Sequence, residues 1–164
     1  MADLEGAGNS GGGVKADDMS EQADGPAKVL IVEDDPVSRL LITRCLHQHG
    51  IDTIEVSVGS DAIAILERDT PIDVVFTDIC LPGKIDGVGV ARWIREKRPE
   101  LPVILGTGTK VGRAASALAR QHRTFLKPYN VVELVTEIRR LAEGRHLARP
   151  WSPSQSDRQP LLED

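Results

Sequence analysis

The sequence predicts an α/β fold, a doubly wound parallel sheet of (βα)5 form with 2-1-3-4-5 as the expected strand order. Three observations lead there. Apolar runs too short for helices alternate with longer stretches of helical period, the pattern of a parallel sheet covered on both faces. Hydrophobic residues make up 40% of the 164 positions and aromatics only 3%, so one core of ordinary size must be built from Val, Ile, Leu and Ala. Acids, a hydroxyl and a lysine stand just after the apolar runs, where open parallel sheets bind ligands.

The elements follow in order. The expected strands are Val29 to Val32, Thr53 to Val56, Val74 to Thr77, Val103 to Gly106 and Thr124 to Leu126. The first helix starts with Asp35 as N-cap and Pro36 at its first position, turns Val37, Leu40, Leu41 and Leu46 to the sheet, and stops at Gly50. Ser60 can cap the second helix, whose Ile63 and Leu66 face inward. The third runs from about Gly87 to Arg98 with Val90, Trp93 and Ile94, and an Ala-rich fourth covers about Lys110 to Gln121. In the last, Asn130 and Glu133 resemble a capping box, and Leu134, Val135, Ile138 and Leu141 repeat at helical spacing before Gly144.

Residues 1–27 are rich in Gly, Ala and acids and read as a disordered tail. Residues 145–164, with three prolines, read as a second tail in which Trp151, Leu161 and Leu162 hint at docking. The single folded domain is then 28–144, and the 20 residues after Gly144 are too few for an effector domain. The tail 1–27 holds six acids against Lys15, whereas 28–144 holds sixteen acids and sixteen bases. A near-neutral domain gives no electrostatic case for nucleic acid. Cys45 and Cys80 fit no paired spacing, and no segment has the length or layout of a membrane span or signal peptide. A soluble cytoplasmic protein is expected.

The strand ends carry the chemistry. Strand one ends in Glu33, Asp34 and Asp35, strand three in Asp78, strand four in Thr107 and strand five in Lys127. In the order 2-1-3-4-5, strands one and three are neighbours, so Glu33, Asp34 and Asp78 converge. Acids so close repel one another unless their pKa values rise or a hard cation neutralises them. Mg²⁺ suits such a site, taking one or two carboxylates plus a phosphate oxygen in an octahedral shell at about 2.0–2.1 Å. Lys127 can pair with Asp78 or a phosphoryl group on it, and Thr107 offers a hydroxyl to a phosphoryl oxygen. Asp78 is then the attacking carboxylate. Asp35 is better explained as a helix cap than as a ligand. His47 and His49 read as surface residues, Cys45 as a core side chain, and Arg139 and Arg140 as partners of the helix dipole.

The motifs "VEDD", "FTDICLPG", "DG" at Asp86 and Gly87, "GTG" and "FLKP" occur in order over about 28–144. In them the chain resembles a response-regulator receiver domain of bacterial two-component signalling, a flavodoxin-like fold. The resemblance implies that Asp78 is the phosphoacceptor, that Asp34 binds Mg²⁺ directly and Glu33 through water, and that Cys80 gives its backbone carbonyl to the metal. It makes Thr107 the switch hydroxyl beside Gly108, and Lys127, before a cis-forming Pro128, the ion-pair partner of the acyl phosphate. Phosphate would come from a sensor histidine kinase or histidine phosphotransfer protein, and output would be binding of a downstream protein through helix four, strand five and helix five. Two features depart from the family pattern: Thr124 stands where an aromatic or histidine is usual, and the loop "LPGKIDG" is one residue longer, as in a group of stand-alone receivers with an aromatic where Thr109 stands here. A phosphate sink or shuttle without an output target is a second reading. A haloacid-dehalogenase-like phosphohydrolase ranks below it, because Cys80 replaces that chemistry's second Asp. A flavodoxin-like cofactor binder fails because three acids would repel the cofactor's phosphate.

Overall fold

The computed structural model describes residues 26–68, 70–108 and 121–148. Five parallel strands, β1 (Lys28–Val32), β2 (Asp52–Val56), β3 (Val74–Asp78), β4 (Val103–Thr107) and β5 (Arg123–Leu126), pair in the order β2-β1-β3-β4-β5. Each begins or ends within one residue of its expected bounds. The helices of the described residues are α1 (Pro36–Gln48), α2 (Gly59–Glu67), α3 (Gly87–Lys97) and α4 (Val131–Ala148). The helix expected from about Lys110 to Gln121 lies, but for Gln121, outside the described residues, as do Thr109, Trp151, Leu161, Leu162 and most of both expected tails.

Successive strand side chains point to opposite faces, and this alternation divides the core in two. Leu30, Val32, Val75, Val103 and Leu105 pack with Ala62 and Leu66 of α2 and with Val90 and Ile94 of α3. Val29, Ile31, Val74, Phe76 and Ile104 pack with Ile42 and Leu46 of α1 and with Leu134, Val135 and Ile138 of α4. Each fully buried side chain of this size contributes about 1.5–3 kcal/mol. All five residues of β3 and of β4 are buried, as central strands of a two-faced sheet must be.

Three local expectations change. Asp35 caps α1, accepting from the Ser38 amide at 2.7 Å, with Pro36 at the first helical position. Yet Val37, Leu40 and Leu41 are 64%, 49% and 50% exposed, and the buried residues of α1 are Ile42, Thr43 and Leu46. Apolar residues occur on opposite sides of this helix, so periodicity alone could not say which side meets the sheet. Ser60 caps nothing: α2 starts at Gly59 with Val58 as its N-cap, and the Ser60 hydroxyl donates to Asp61 at 3.5 Å. Leu66 is buried as expected with Ala62, and Ile65 packs beside them, while Ile63 is half-buried.

The last helix begins as expected, with the Glu133 amide donating to Asn130 Oδ1 at 3.4 Å. It then passes through Gly144 to Ala148, so the domain boundary expected at Gly144 falls inside a helix. A helical glycine costs about 1 kcal/mol against alanine. Beyond it Arg145 ties the helix to Glu100, donating to its carbonyl at 2.8 Å and its carboxylate at 3.4 Å. Arg139 and Arg140 are therefore mid-helix and pair with Glu143 and Glu137, not with the helix terminus.

Candidate functional site

Strand register brings the site together. Val32 is level with Thr77 across β1 and β3, so the next residues, Glu33 and Asp78, emerge side by side. Asp78 is level with Gly106 across β3 and β4, and Thr107 with Leu126 across β4 and β5. All of these ends lie on the same edge of the sheet. Carboxylate oxygens of Glu33, Asp34 and Asp78 lie within 4.8 Å of one another, with Asp34 exposed and the other two buried.

Lys127 crosses this cluster. Its ammonium donates to Asp78 Oδ2 and, at 2.9 Å, to Glu33 Oε1. Its amide donates to the Thr107 carbonyl at 2.7 Å, and its peptide bond to Pro128 is cis. Burial alone would lower the lysine pKa, but the hydrogen bonds and charges of Asp78 and Glu33 outweigh it and hold the ammonium above its ordinary value. Burial raises Glu33 above the usual carboxylate range, and the hydrogen bond from Lys127 opposes this only in part. The buried glutamate therefore depends on cationic and hydrogen-bonding partners to stay charged.

Of the remaining residues picked from the sequence, Cys80 and Gly87 lie against Asp78. The Cys80 amide donates to Asp78 Oδ1 at 3.1 Å, while the Cys80 residue is exposed. Thr107 is buried, and its hydroxyl donates to the Gly108 carbonyl at 3.0 Å. Asp35 does double service: its carboxylate caps α1 and its amide donates to Glu33 Oε1 at 3.3 Å. Asp86 caps α3, accepting from the Gly89 amide at 2.8 Å. Gly87 follows it because the chain there runs so close to β3 that a Cβ would overlap the Asp78 carbonyl. His47 and His49 are exposed and take no part, and Cys45 is half-buried against the α1 side of the core.

Two residues of the site escaped the sequence reading. Tyr129 donates its hydroxyl to Glu33 Oε2 at 3.2 Å and lies 5.5 Å, ring centroid to Nζ, from Lys127. Gly106 faces that hydroxyl across β4. The available signal was a glycine inside a strand, which marks close approach by another group.

Among known proteins, the family model of the response regulator receiver domain matches residues 29–139. The chain is 35% identical over 123 residues to the probable transcriptional regulatory protein TcrX of Mycobacterium tuberculosis, covering 73% of this chain and 52% of that one. It is 33% identical to the transcriptional regulatory protein TrcR of the same organism, covering 79% and 51%. The chain thus spans about half the length of the curated relatives it matches. Among solved structures, a response regulator receiver protein from Sinorhizobium medicae superposes with a TM-score of 0.66 at 29% identity, over 73% of this chain and 97% of that one. The receiver domain of a signal transduction histidine kinase from Syntrophus aciditrophicus gives 0.65 at 27%, over 79% and 98%.

Proposed function

The chain belongs to the response regulator receiver domain family, and we propose that it is a phosphorylation-controlled switch whose Asp78 accepts a phosphoryl group from a sensor histidine kinase or histidine phosphotransfer protein. Receiver domains are phosphoacceptor switches. The observation that carries the assignment is the Lys127 ammonium seated on both the Asp78 and Glu33 carboxylates. A cation delivered from the far end of the chain to a strand-end aspartate is what a carboxylate destined to carry more negative charge requires.

The donor set fits Mg²⁺, because three carboxylates offer hard oxygen atoms within 4.8 Å of one another, and such an ion takes one or two carboxylates directly and keeps several waters. Asp34, Asp78 and the Cys80 backbone carbonyl would hold the ion directly and Glu33 through water; once bound, it would neutralise the oxygens of the phosphoryl group in transfer. Asp78 forms the new P–O bond as the P–N bond to the donor imidazole breaks. Lys127, held in its charged form by its two carboxylates, pairs with the arriving phosphoryl group. Thr107 turns its hydroxyl from the Gly108 carbonyl toward a phosphoryl oxygen. Phosphorylation adds roughly −1.5 to −2 charge units, and the loops after β3 and β4 readjust to it.

The donor's docking surface is the strip Val37, Leu40 and Leu41, exposed on the first turns of α1 beside the acidic cluster. Output is a change in affinity for a protein partner at β5 and the start of α4, where Leu126 and Val132 are exposed large apolar residues. Regulation of transcription belongs to the longer relatives by name; the near-neutral net charge of 28–144 supplies no electrostatic case for a duplex-binding face here. Among the described residues no helix is long and apolar enough to cross a membrane. The test is labelling by acetyl phosphate with Mg²⁺. Asp78→Asn abolishes it, and undiminished labelling of that variant would refute the acceptor.

A further inference from the structure

Tyr129 touches both charged partners of the acceptor without being one of them. Its ring meets Phe76 edge-on, with centroids 5.6 Å apart and planes at 84°, and the Lys127 ammonium lies 5.5 Å from the ring centroid. Its hydroxyl donates to Glu33 Oε2 at 3.2 Å. The slot it occupies exists because Gly106 has no side chain: a Cβ there would overlap the hydroxyl and stand 2.9 Å from Tyr129 Cζ and 3.0 Å from Phe76 Cζ. Glycine weakens a central strand, so its presence in β4 at the level of Asp78 needs a compensating use.

Glu33 is a fully buried carboxylate gripped from two sides. Oε1 accepts from Lys127 and from the Asp35 amide, and Oε2 accepts from Tyr129. Two donors hold one oxygen, and the third, on the other oxygen, adds resistance to rotation of the carboxylate about its Cγ–Cδ bond. We propose that Tyr129 is a positioning residue of the cation site: its hydroxyl, seated in the slot left by Gly106, fixes the plane of Glu33 beside Asp34 and Asp78. This rests on the reading of those three acids as the Mg²⁺ site. The competing view, a half-buried tyrosine that merely satisfies its own hydroxyl, predicts a loss of stability and no effect on the metal.

Tyr129→Phe separates the two, because it keeps the ring and its contacts with Phe76 and Lys127 and removes only the hydroxyl. Mg²⁺ binding to the full chain is measured by calorimetry well below the melting temperature, alongside the rise in melting temperature that Mg²⁺ produces. Y129F weakens Mg²⁺ affinity about tenfold, as loss of an outer partner of a metal ligand does, and shrinks the Mg²⁺-induced rise. Gly106→Ala, which expels the hydroxyl by its Cβ, gives the same loss, and the double variant is no weaker than the weaker single one. An affinity for Y129F within twofold of wild type overturns the proposal while leaving the site standing, and it does so whether or not G106A folds. Additive losses in the double variant also overturn it. Failure of the wild-type protein to bind Mg²⁺ overturns the site and this role together.

Discussion

The Lys127 ammonium rests on the Asp78 carboxylate, from a position 49 residues further along the chain. The two strand ends are not adjacent, since β4 separates β3 from β5, so the lysine side chain spans the end of β4 to reach its partner. The sheet thus brings a cation to an acid cluster that would otherwise repel itself. Lys127→Met keeps the apolar stem and removes the charge, leaving the buried Glu33 and Asp78 uncompensated. We expect a loss of about 1–3 kcal/mol in denaturant melts without divalent ions. Added Mg²⁺ restores part of it, because a second cation can take over the neutralisation. Unchanged stability in both conditions would show that the lysine does not hold the pair.

Gly87 governs how closely α3 approaches the acceptor. Its amide donates to the Ile79 carbonyl at 3.1 Å, and a Cβ would overlap the Asp78 carbonyl, which is backbone and cannot swing aside. Gly87→Val is expected to cost about 1–3 kcal/mol by overpacking and to slow acetyl-phosphate labelling by displacing Asp78. Gly144→Ala provides the contrast: nothing lies within 4 Å of its Cβ position, and replacing a helical glycine should raise stability by up to about 1 kcal/mol. The pair of melting curves checks both signs.

The strands, their order and the acids, hydroxyl and lysine at their ends were legible because burial on both faces writes a continuous apolar run, and a polar residue after such a run has few structural reasons to be there. Three features were not. On α1 apolar residues lie on both the buried side, at Ile42 and Leu46, and the exposed side, at Val37, Leu40 and Leu41, so the helical period has two solutions. At Gly144 the usual stop signal is overridden by a tertiary contact, Arg145 with Glu100, that no local pattern encodes. The Tyr129 to Glu33 bond spans 96 residues, and a tyrosine beside a proline has an ordinary reading as a loop residue until its place against Gly106 of β4 is known.

His122 gives the fold a pH dependence remote from the acidic cluster. It is half-buried, and among the described residues its Nε2 has no hydrogen-bond partner. Burial first, and the Arg95 charge second, hold its pKa below the ordinary 6.5. The folded state therefore favours neutral imidazole, while the unfolded chain takes up a proton near its ordinary value. Its contribution to stability is complete above about pH 6.5 and is lost as pH falls toward the folded value. His122→Gln removes that component, so stability measured from pH 7.5 down to 5 should fall less steeply than in wild type. Parallel curves would show that His122 is as solvated in the folded state as in the unfolded one.

If the exposed strip on α1 is the donor's docking surface, as proposed, the chemistry of Asp78 and recognition of the donor can be separated by mutation. Val37, Leu40 and Leu41 share one side of the helix that Asp35 caps, and the proposed docking surface predicts that a protein bringing a phosphohistidine to Asp78 lies against them. Their exposure means that a charge added there removes no core contact. Leu41→Asp should change stability by no more than about 0.5 kcal/mol and leave acetyl-phosphate labelling intact, because that small donor needs no docking surface. Transfer from a phosphorylated histidine kinase should slow about tenfold or more, since one central apolar contact in an interface is commonly worth over 1 kcal/mol. Equal slowing with both donors would place the effect at Asp78 itself, and no slowing with either would move the docking surface off this helix.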